Sequence, residues 1–305
     1  MGDNGINVIE QRRNSEIVAI KARRALSVLP ATAVGVMLMA SAVLAQAPPA
    51  WTGAGEHPLA PVLHWAQQGL PAIESLKDYS AELVRRERVR GVLGGYEYMF
   101  VKIRHAPFSV YCRFQSPASV KGQEVIYVAG QHQGNMLAHA ARMSATLSLH
   151  PDGLIAMNNR HYPLTEIGLV NLVRRLVEVG RQDLKYGECE VQYFTRAKVD
   201  NRPCTAIQVV HPVERDVFRF HLARIFVDDE LKMPIRYESY DWPREPGGQP
   251  RLIEEYTYLD LKLNNGFTDE DFSTQNPQYQ FRQPPTPPNG GTPPQHRPGA
   301  TEDGP

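Results

Sequence analysis

The chain has little cysteine, no surplus of either charge and none of the short signatures that carry catalysis. Cys112, Cys189 and Cys204 are its only cysteines, an odd number. Cys189 and Cys204 fall on successive strand regions and are the best candidate pair. The alternative is three small buried hydrophobes. Lys+Arg and Asp+Glu number 33 each, and no large block of one sign occurs. Nucleic acid is therefore excluded as a partner for want of an electrostatic footprint. There is no Gly-x-Ser-x-Gly elbow, no His-Glu-x-x-His and no phosphate-cradling glycine loop. The chain reads as a non-enzyme without cofactor or metal. His132, His139, His150 and His161 lie near one another in sequence, but their spacings fit no ligand pattern and scattered histidines are expected.

What is present starts with a leader. Arg12, Arg13, Lys21, Arg23 and Arg24 form a basic region, and the uncharged, mostly apolar stretch Leu26–Leu44 comes next. Val43-Leu44-Ala45 then supplies small residues for signal cleavage, so residues 1–45 read as a secretory signal peptide. An uncleaved membrane anchor is the alternative. No cysteine lies near the cleavage site, which excludes lipid attachment there. Residues 46–57 form a Pro/Gly/Ala linker. Residues 282–305 hold eight prolines and four glycines, a tail that cannot bury a core and is expected to be disordered. One domain is left, residues 58–281.

That domain opens on an amphipathic helix. Leu59, Val62, Leu63, Ala66, Leu70, Ile73 and Leu76 recur at three- and four-residue steps, with Gly69 and Pro71 expected to kink or break it. Period-two alternation then takes over. A charged strand holds Glu82, Arg85, Arg86, Glu87, Arg88 and Arg90. It reads as cross-strand ion pairs on a solvated face, or as a docking surface. Met99, Val101 and Ile103 share one face of the next strand. Phe108, Val110, Cys112 and Phe114 share one face of the strand after it. Shorter strands come at 124–129, 136–139 and 146–149. Leu169, Leu172, Val173, Leu176 and Val177 mark a second helix, with Thr165 to cap it and Gly180 to end it; Arg174, Arg175 and Arg181 on it are a weak signal for anionic headgroups. Strands resume at 190–198, 204–211, 218–228, 233–242 and 252–263. The last places Leu259, Leu261 and Leu263 on one face and Tyr256 and Tyr258 on the other. Tyr237 and Tyr240 would neighbour those tyrosines.

Four stretches carry a resemblance. They are Arg104-His-Ala-Pro-Phe-Ser-Val-Tyr111, Gly122-Gln-Glu-Val-Ile-Tyr127, Asp228-Asp-Glu-Leu-Lys-Met-Pro-Ile-Arg-Tyr237, and Asp271-Phe272 with Asn276-Pro277. On these the domain resembles the DUF1571 family, whose activity is not assigned. More distantly it looks like the periplasmic lipoprotein carriers and receptors of LolA/LolB type, by architecture alone. That likeness implies an α+β fold: a curved antiparallel β-sheet, an incomplete barrel, wrapped around one or two amphipathic helices. It implies an exported envelope protein that binds lipid or lipoprotein acyl chains in an apolar cavity, with Met99, Val101, Ile103, Phe108, Val110 and Phe114 as the candidate lining. A scaffold or interaction module with a fully packed core and an envelope protein partner is the alternative.

Overall fold

The computed structural model of the chain is α+β and describes residues 56–140 and 145–281. The leader, most of the linker and the tail lie outside the described residues.

Helix α1 spans Ala60–Glu74 and buries Leu63 and Ile73. It runs as one element through Gly69 and Pro71, where the sequence suggests a break. Pro71 falls in its last turn, so the ring removes one hydrogen bond close to an end that frays anyway.

The chain then lays down β1 (Asp78–Val89), β2 (Val92–Leu93), β3 (Glu97–His105), β4 (Phe108–Ser116), β5 (Glu124–Val128), β6 (Met136–His139) and β7 (Thr146–Leu149). Helix α2 (Leu169–Asp183) is next. After it come β8 (Glu190–Val199), β9 (Arg202–Val210), β10 (Leu222–Asp228), β11 (Pro234–Asp241) and β12 (Arg251–Leu263).

Two expected boundaries of α2 are corrected. Thr165 lies in a separate 3-10 turn, Leu164–Glu166, and the N-cap position is Gly168 at φ 112°. The Tyr79 hydroxyl on β1 accepts the Leu169 N–H at 2.8 Å, so the sheet satisfies a donor that a capping side chain would otherwise take. Gly180 does not end the helix. A Cβ there would stand 2.6 Å from a Leu63 methyl carbon, so this glycine serves the close crossing of α1 and α2.

The strands form one antiparallel sheet in the order β7-β6-β5-β4-β3-β1-β12-β11-β10-β9-β8, with β2 paired to β1. Two meanders meet at its centre. The first runs outward from β1 to β7. The second starts at the far edge and returns inward until β12 pairs with β1. Hairpins explain every other neighbour, since short polar turns join antiparallel strands.

Both helices sit on one face. Leu169, Val173 and Val177 of α2 pack with Leu83, Met99, Val101, Ile103, Val110, Cys112 and Phe114. Leu59 and Leu63 pack with Ile207, Val209, Ala223 and Tyr237. That face must be concave. Leu147 and Leu149 on β7 line the same space as Ile207 and Val209 on β9, nine strand steps away. In a flat sheet those strands would stand roughly 40 Å apart.

A bulge corrects the expected alternation of β12. Its register with β1 shifts between Ser80 and Glu82, and Asp260 takes φ 51°. Leu259 therefore joins a cluster with Val84, Phe226 and Ile235 on the convex face. Leu263 pairs with Tyr79 and packs with the helices. One extra residue is enough to move the rest of the strand to the other face.

The convex face of β3–β5 is closed by the chain after β12. Phe272 and Phe281 are buried against Tyr111, Ile126 and Val128, with Phe267 and Tyr279 beside them. Tyr279 stacks on Tyr111 with ring centroids 3.9 Å apart. Asp78 anchors the start of this strap by accepting the backbone N–H groups of Asn265, Gly266 and Phe267 at 2.5, 3.1 and 3.1 Å. Lys102–Asp271 and Arg104–Asp269 ion pairs, each 2.7 Å, hold its middle. Glu124 accepts the Gln280 N–H at 2.6 Å near its end.

Candidate ligand cavity

The concave face is not filled. Between it and the helices lies a cavity of about 1420 Å³, above the ~300–1,000 Å³ usual for small-molecule pockets. A fully packed core therefore does not describe this side of the sheet. Two 15-residue helices cannot cover a curved sheet of this many strands, and the uncovered apolar surface becomes wall. Leu63, Leu172 and Leu176 come from the helices, Ile207 and Ile225 from the second meander, and Val125 and Met136 from the first.

The six residues expected to line a pocket divide. Met99 and Phe114 are on the wall of this cavity. Val101, Ile103 and Val110 lie on the same sheet face but are fully buried beneath α2. Ile103 and Phe108 line a smaller space of about 370 Å³ between the β3–β4 hairpin and the start of α2. Alternation identified the correct face of β3 and β4. It could not say how far along each strand the helix stops.

The wall also carries charge that the sequence reading missed. Strand β1 does not present a solvated ladder. It is central, and its register puts Arg85 opposite Tyr256 and Glu87 opposite Glu254, all on the cavity side. Arg86 and Arg88 turn elsewhere, Arg86 over the Tyr96 ring and onto the Gly94 carbonyl, Arg88 onto the Leu252 carbonyl.

Glu87 and Glu254 are held by a polar knot. The Tyr256 hydroxyl donates to Glu87 and lies 3.3 Å from Glu254. Tyr162 donates to Glu254 at 3.1 Å. His161 places Nδ1 2.7 Å from Glu254 and Nε2 3.0 Å from the Arg88 carbonyl. Both ring nitrogens meet acceptors, so both carry protons. The hydrogen bond to Glu254 raises the His161 pKa to about 9 against the opposing effect of burial. Burial chiefly, and then Glu254 and Glu87, push the Tyr256 hydroxyl well above its usual value.

The knot fastens the segment between β7 and α2. Residues 150–163 hold turns but no long element, and several of them line the cavity, among them Pro151, Ile155, Arg160 and His161. Tyr162 lies under the Arg175 guanidinium, 3.5 Å from its ring centroid. Leu154 and Ile155 are 92% and 71% exposed, so the far end of this segment presents apolar side chains to solvent beside the cavity.

Tyr237 pairs with Tyr256 across β11 and β12, and both face the cavity with Tyr258; Tyr240 pairs instead with Leu252. Cys112, Cys189 and Cys204 are free and buried. Cys189 sits in the concave cluster and Cys204 in the convex one, so the sheet separates the expected pair. Among the described residues no group of three or more His, Cys, Asp or Glu side chains is placed to hold a metal ion. His132 and His150 are exposed in turns, and His139 packs on Phe281.

An open antiparallel sheet, rolled around two helices and enclosing an apolar cavity, defines the class of protein. The chain belongs to the family described as protein of unknown function (DUF1571), whose model matches residues 76–281. No curated protein matches it in sequence. Among solved structures it is similar to the lipoprotein LppX of Mycobacterium tuberculosis, at 14% identity and a TM-score of 0.40 over 68% of this chain and 98% of that one. LprF of Mycobacterium bovis gives 10% identity and 0.39 over 70% and 97%. A LolA superfamily protein of Nitrosomonas europaea gives 11% and 0.27 over 68% and 97%.

Proposed function

We propose that the protein binds an acyl chain of a lipid or lipoprotein in the concave cavity and performs no covalent chemistry. The observation that carries this reading is the combination of size and lining: about 1420 Å³ walled mainly by aliphatic and aromatic side chains. A well-packed interior leaves few voids larger than a water molecule, and large apolar cavities stay dry until an apolar ligand enters. A chain of about a dozen methylenes would gain about 10 kcal/mol gross from burial at ~0.8 kcal/mol each, before the cost of ordering it. The basic leader and apolar stretch of residues 12–44 support delivery to the cell envelope, where such ligands are found. No described helix is long and apolar enough to cross a membrane.

The test is native mass spectrometry of the purified full chain, with solvent extraction of the same sample. The expected result is an acyl-containing species near one per protein. Phe114→Glu, which puts a charge on the wall, should purify without it while remaining folded by circular dichroism. Equal acyl occupancy in a folded Phe114→Glu variant would place the ligand elsewhere.

A further inference from the structure

The cavity wall is mainly apolar, with Arg219, Glu230 and Lys232 on the side of the second meander and Arg85, Arg160 and Arg175 where the first meander meets the segment before α2. There the arginines are unequally provided for. Arg85 donates to Glu97 from Nε at 2.7 Å and from Nη2 at 2.5 Å. Arg175 is ion-paired with Glu166. Arg160 also lines the cavity, yet among the described residues its guanidinium has neither an ion pair nor a hydrogen bond. What it has is a ring face: its guanidinium carbon lies 5.3 Å from the Phe114 centroid.

This arrangement leaves a half-buried guanidinium without an ion pair at the cavity wall. Burial, and then the like charge of Arg85, lower the Arg160 pKa to about 10. Glu97 and Glu87 offset part of that from beyond ion-pair range; Glu97 Oε2 already accepts from Arg85, and the two Glu87 oxygens accept from Tyr256 and the His161 backbone N–H. Arg160 still carries its charge at neutral pH, half-buried, with no acceptor for a planar fork of donors. A buried cation ordinarily has a partner. Arg85 on β1 and Arg160 over the Phe114 ring of β4 both line this end of the cavity. Two guanidiniums thus stand on one part of a mainly apolar wall.

We propose that this place receives the anionic head of an amphiphile, a carboxylate or phosphate, with Arg160 and Arg85 as its ligands and the apolar cavity as the seat of its tail. The inference rests on the acyl-binding reading and adds the head chemistry. A guanidinium fork matches both oxyanions, and charge-assisted hydrogen bonds strengthen where water is excluded. Phe114 then has two roles, as wall for the tail and as the ring face that positions Arg160.

The experiment titrates the full chain with hexadecanoate, hexadecyl phosphate and hexadecanol, three probes with one tail, each below its aggregation concentration. Binding is read by calorimetry. The two anions should bind about tenfold or more tightly than the alcohol, the scale of one charge-assisted hydrogen bond. Arg160→Gln should abolish that preference, so that the two anions and hexadecanol bind the variant alike. Arg160→Lys should keep part of it. Because among the described residues the Arg160 guanidinium has no ion pair or hydrogen bond to lose, the thermal midpoint of the empty Arg160→Gln variant should stay close to that of the parent, which separates loss of binding from loss of fold. Equal binding of all three probes, or a preference untouched by Arg160→Gln, would overturn the head-group assignment while leaving acyl binding intact. Failure of all three to bind would overturn the acyl-binding reading, and the head-group assignment with it.

Discussion

The two faces of the first meander are made from the same strands and end in opposite states. On the convex side of β3–β5 the strap's rings pack against the strands. Tyr111 stacks on Tyr279, Phe267 meets Phe272 edge-on, and the Lys102–Asp271 and Arg104–Asp269 pairs fasten the strap. On the concave side α2 packs on Met99, Val101, Ile103, Val110 and Phe114 alike, but Met99 and Phe114 also reach the wall of an open cavity. The segment after β12, up to Phe281, seals one side, and among the described residues no such strap covers the other. An open volume of about 1420 Å³ on one face, beside the packed rings on the other, sets the two sides of the same strands apart.

This contrast can be broken most forcefully at the seal. Phe272→Ala removes a ring buried between the strap and Tyr111, and should cost about 3–5 kcal/mol of unfolding free energy. Acyl affinity of the remaining folded protein should not change. Urea unfolding and hexadecanoate titration of one variant check both halves. A large loss of affinity with little loss of stability would mean the two faces are not independent.

The next effect is a pH dependence confined to the cavity side. The folded pKa of His161 is raised to about 9, above the ~6.5 of an unfolded histidine. A raised pKa gives stabilisation that is fully present below about pH 6.5 and fades as pH climbs through about 9. The amount is of order 3 kcal/mol at most. His161→Gln should be less stable than the parent at pH 6, with the gap closing by pH 10. A gap that does not vary with pH would show that His161 is neutral in the fold and that its bond to Glu254 is not an ion pair.

Enlarging a small residue separates the faces from the other direction. Ala138 lines the cavity, so Ala138→Phe should fill empty volume and change stability by less than about 1 kcal/mol. Overpacking a dense core costs ~1–3 kcal/mol. The same variant should weaken hexadecanoate binding severalfold. A substantial drop in thermal midpoint would mean the cavity wall is as tightly packed as the seal. The smallest effect belongs to the outward arginines. Arg86→Glu should change stability by under about 1 kcal/mol and leave acyl binding alone, as checked by the same titration.

Much of this contrast was legible in the sequence, and the illegible parts share causes. Alternation along Glu97–His105 and Phe108–Ser116 placed Met99, Val101, Ile103, Val110 and Phe114 on one face, because a half-buried strand must alternate. The strap was not legible. Residues 264–281 have no period, and they are held by Asp78 and by ring contacts made at long range. The charged cavity end was misread for a different reason. Arg85 and Glu87 sit in a strand with six charged residues, and charge normally marks a solvated face. Only the pairing of β1 with both β3 and β12 turns them inward, and that topology is invisible to a local pattern. Arg160 and His161 lie in a stretch without periodicity, and their importance depends on Phe114, Glu254 and Glu87 arriving from distant strands. The face change at Asp260 rests on one residue of bulge, which alternation cannot foresee.

The most direct measurement uses the tryptophans as position markers. Trp65 lines the cavity and Trp242 does not. Hexadecanoate carrying a nitroxide near its terminal methyl should broaden the indole N–H resonance of Trp65 in the full chain and leave that of Trp242 sharp, with unlabelled hexadecanoate reversing the effect. Equal broadening of both, or broadening of Trp242 alone, would contradict acyl binding in the concave cavity.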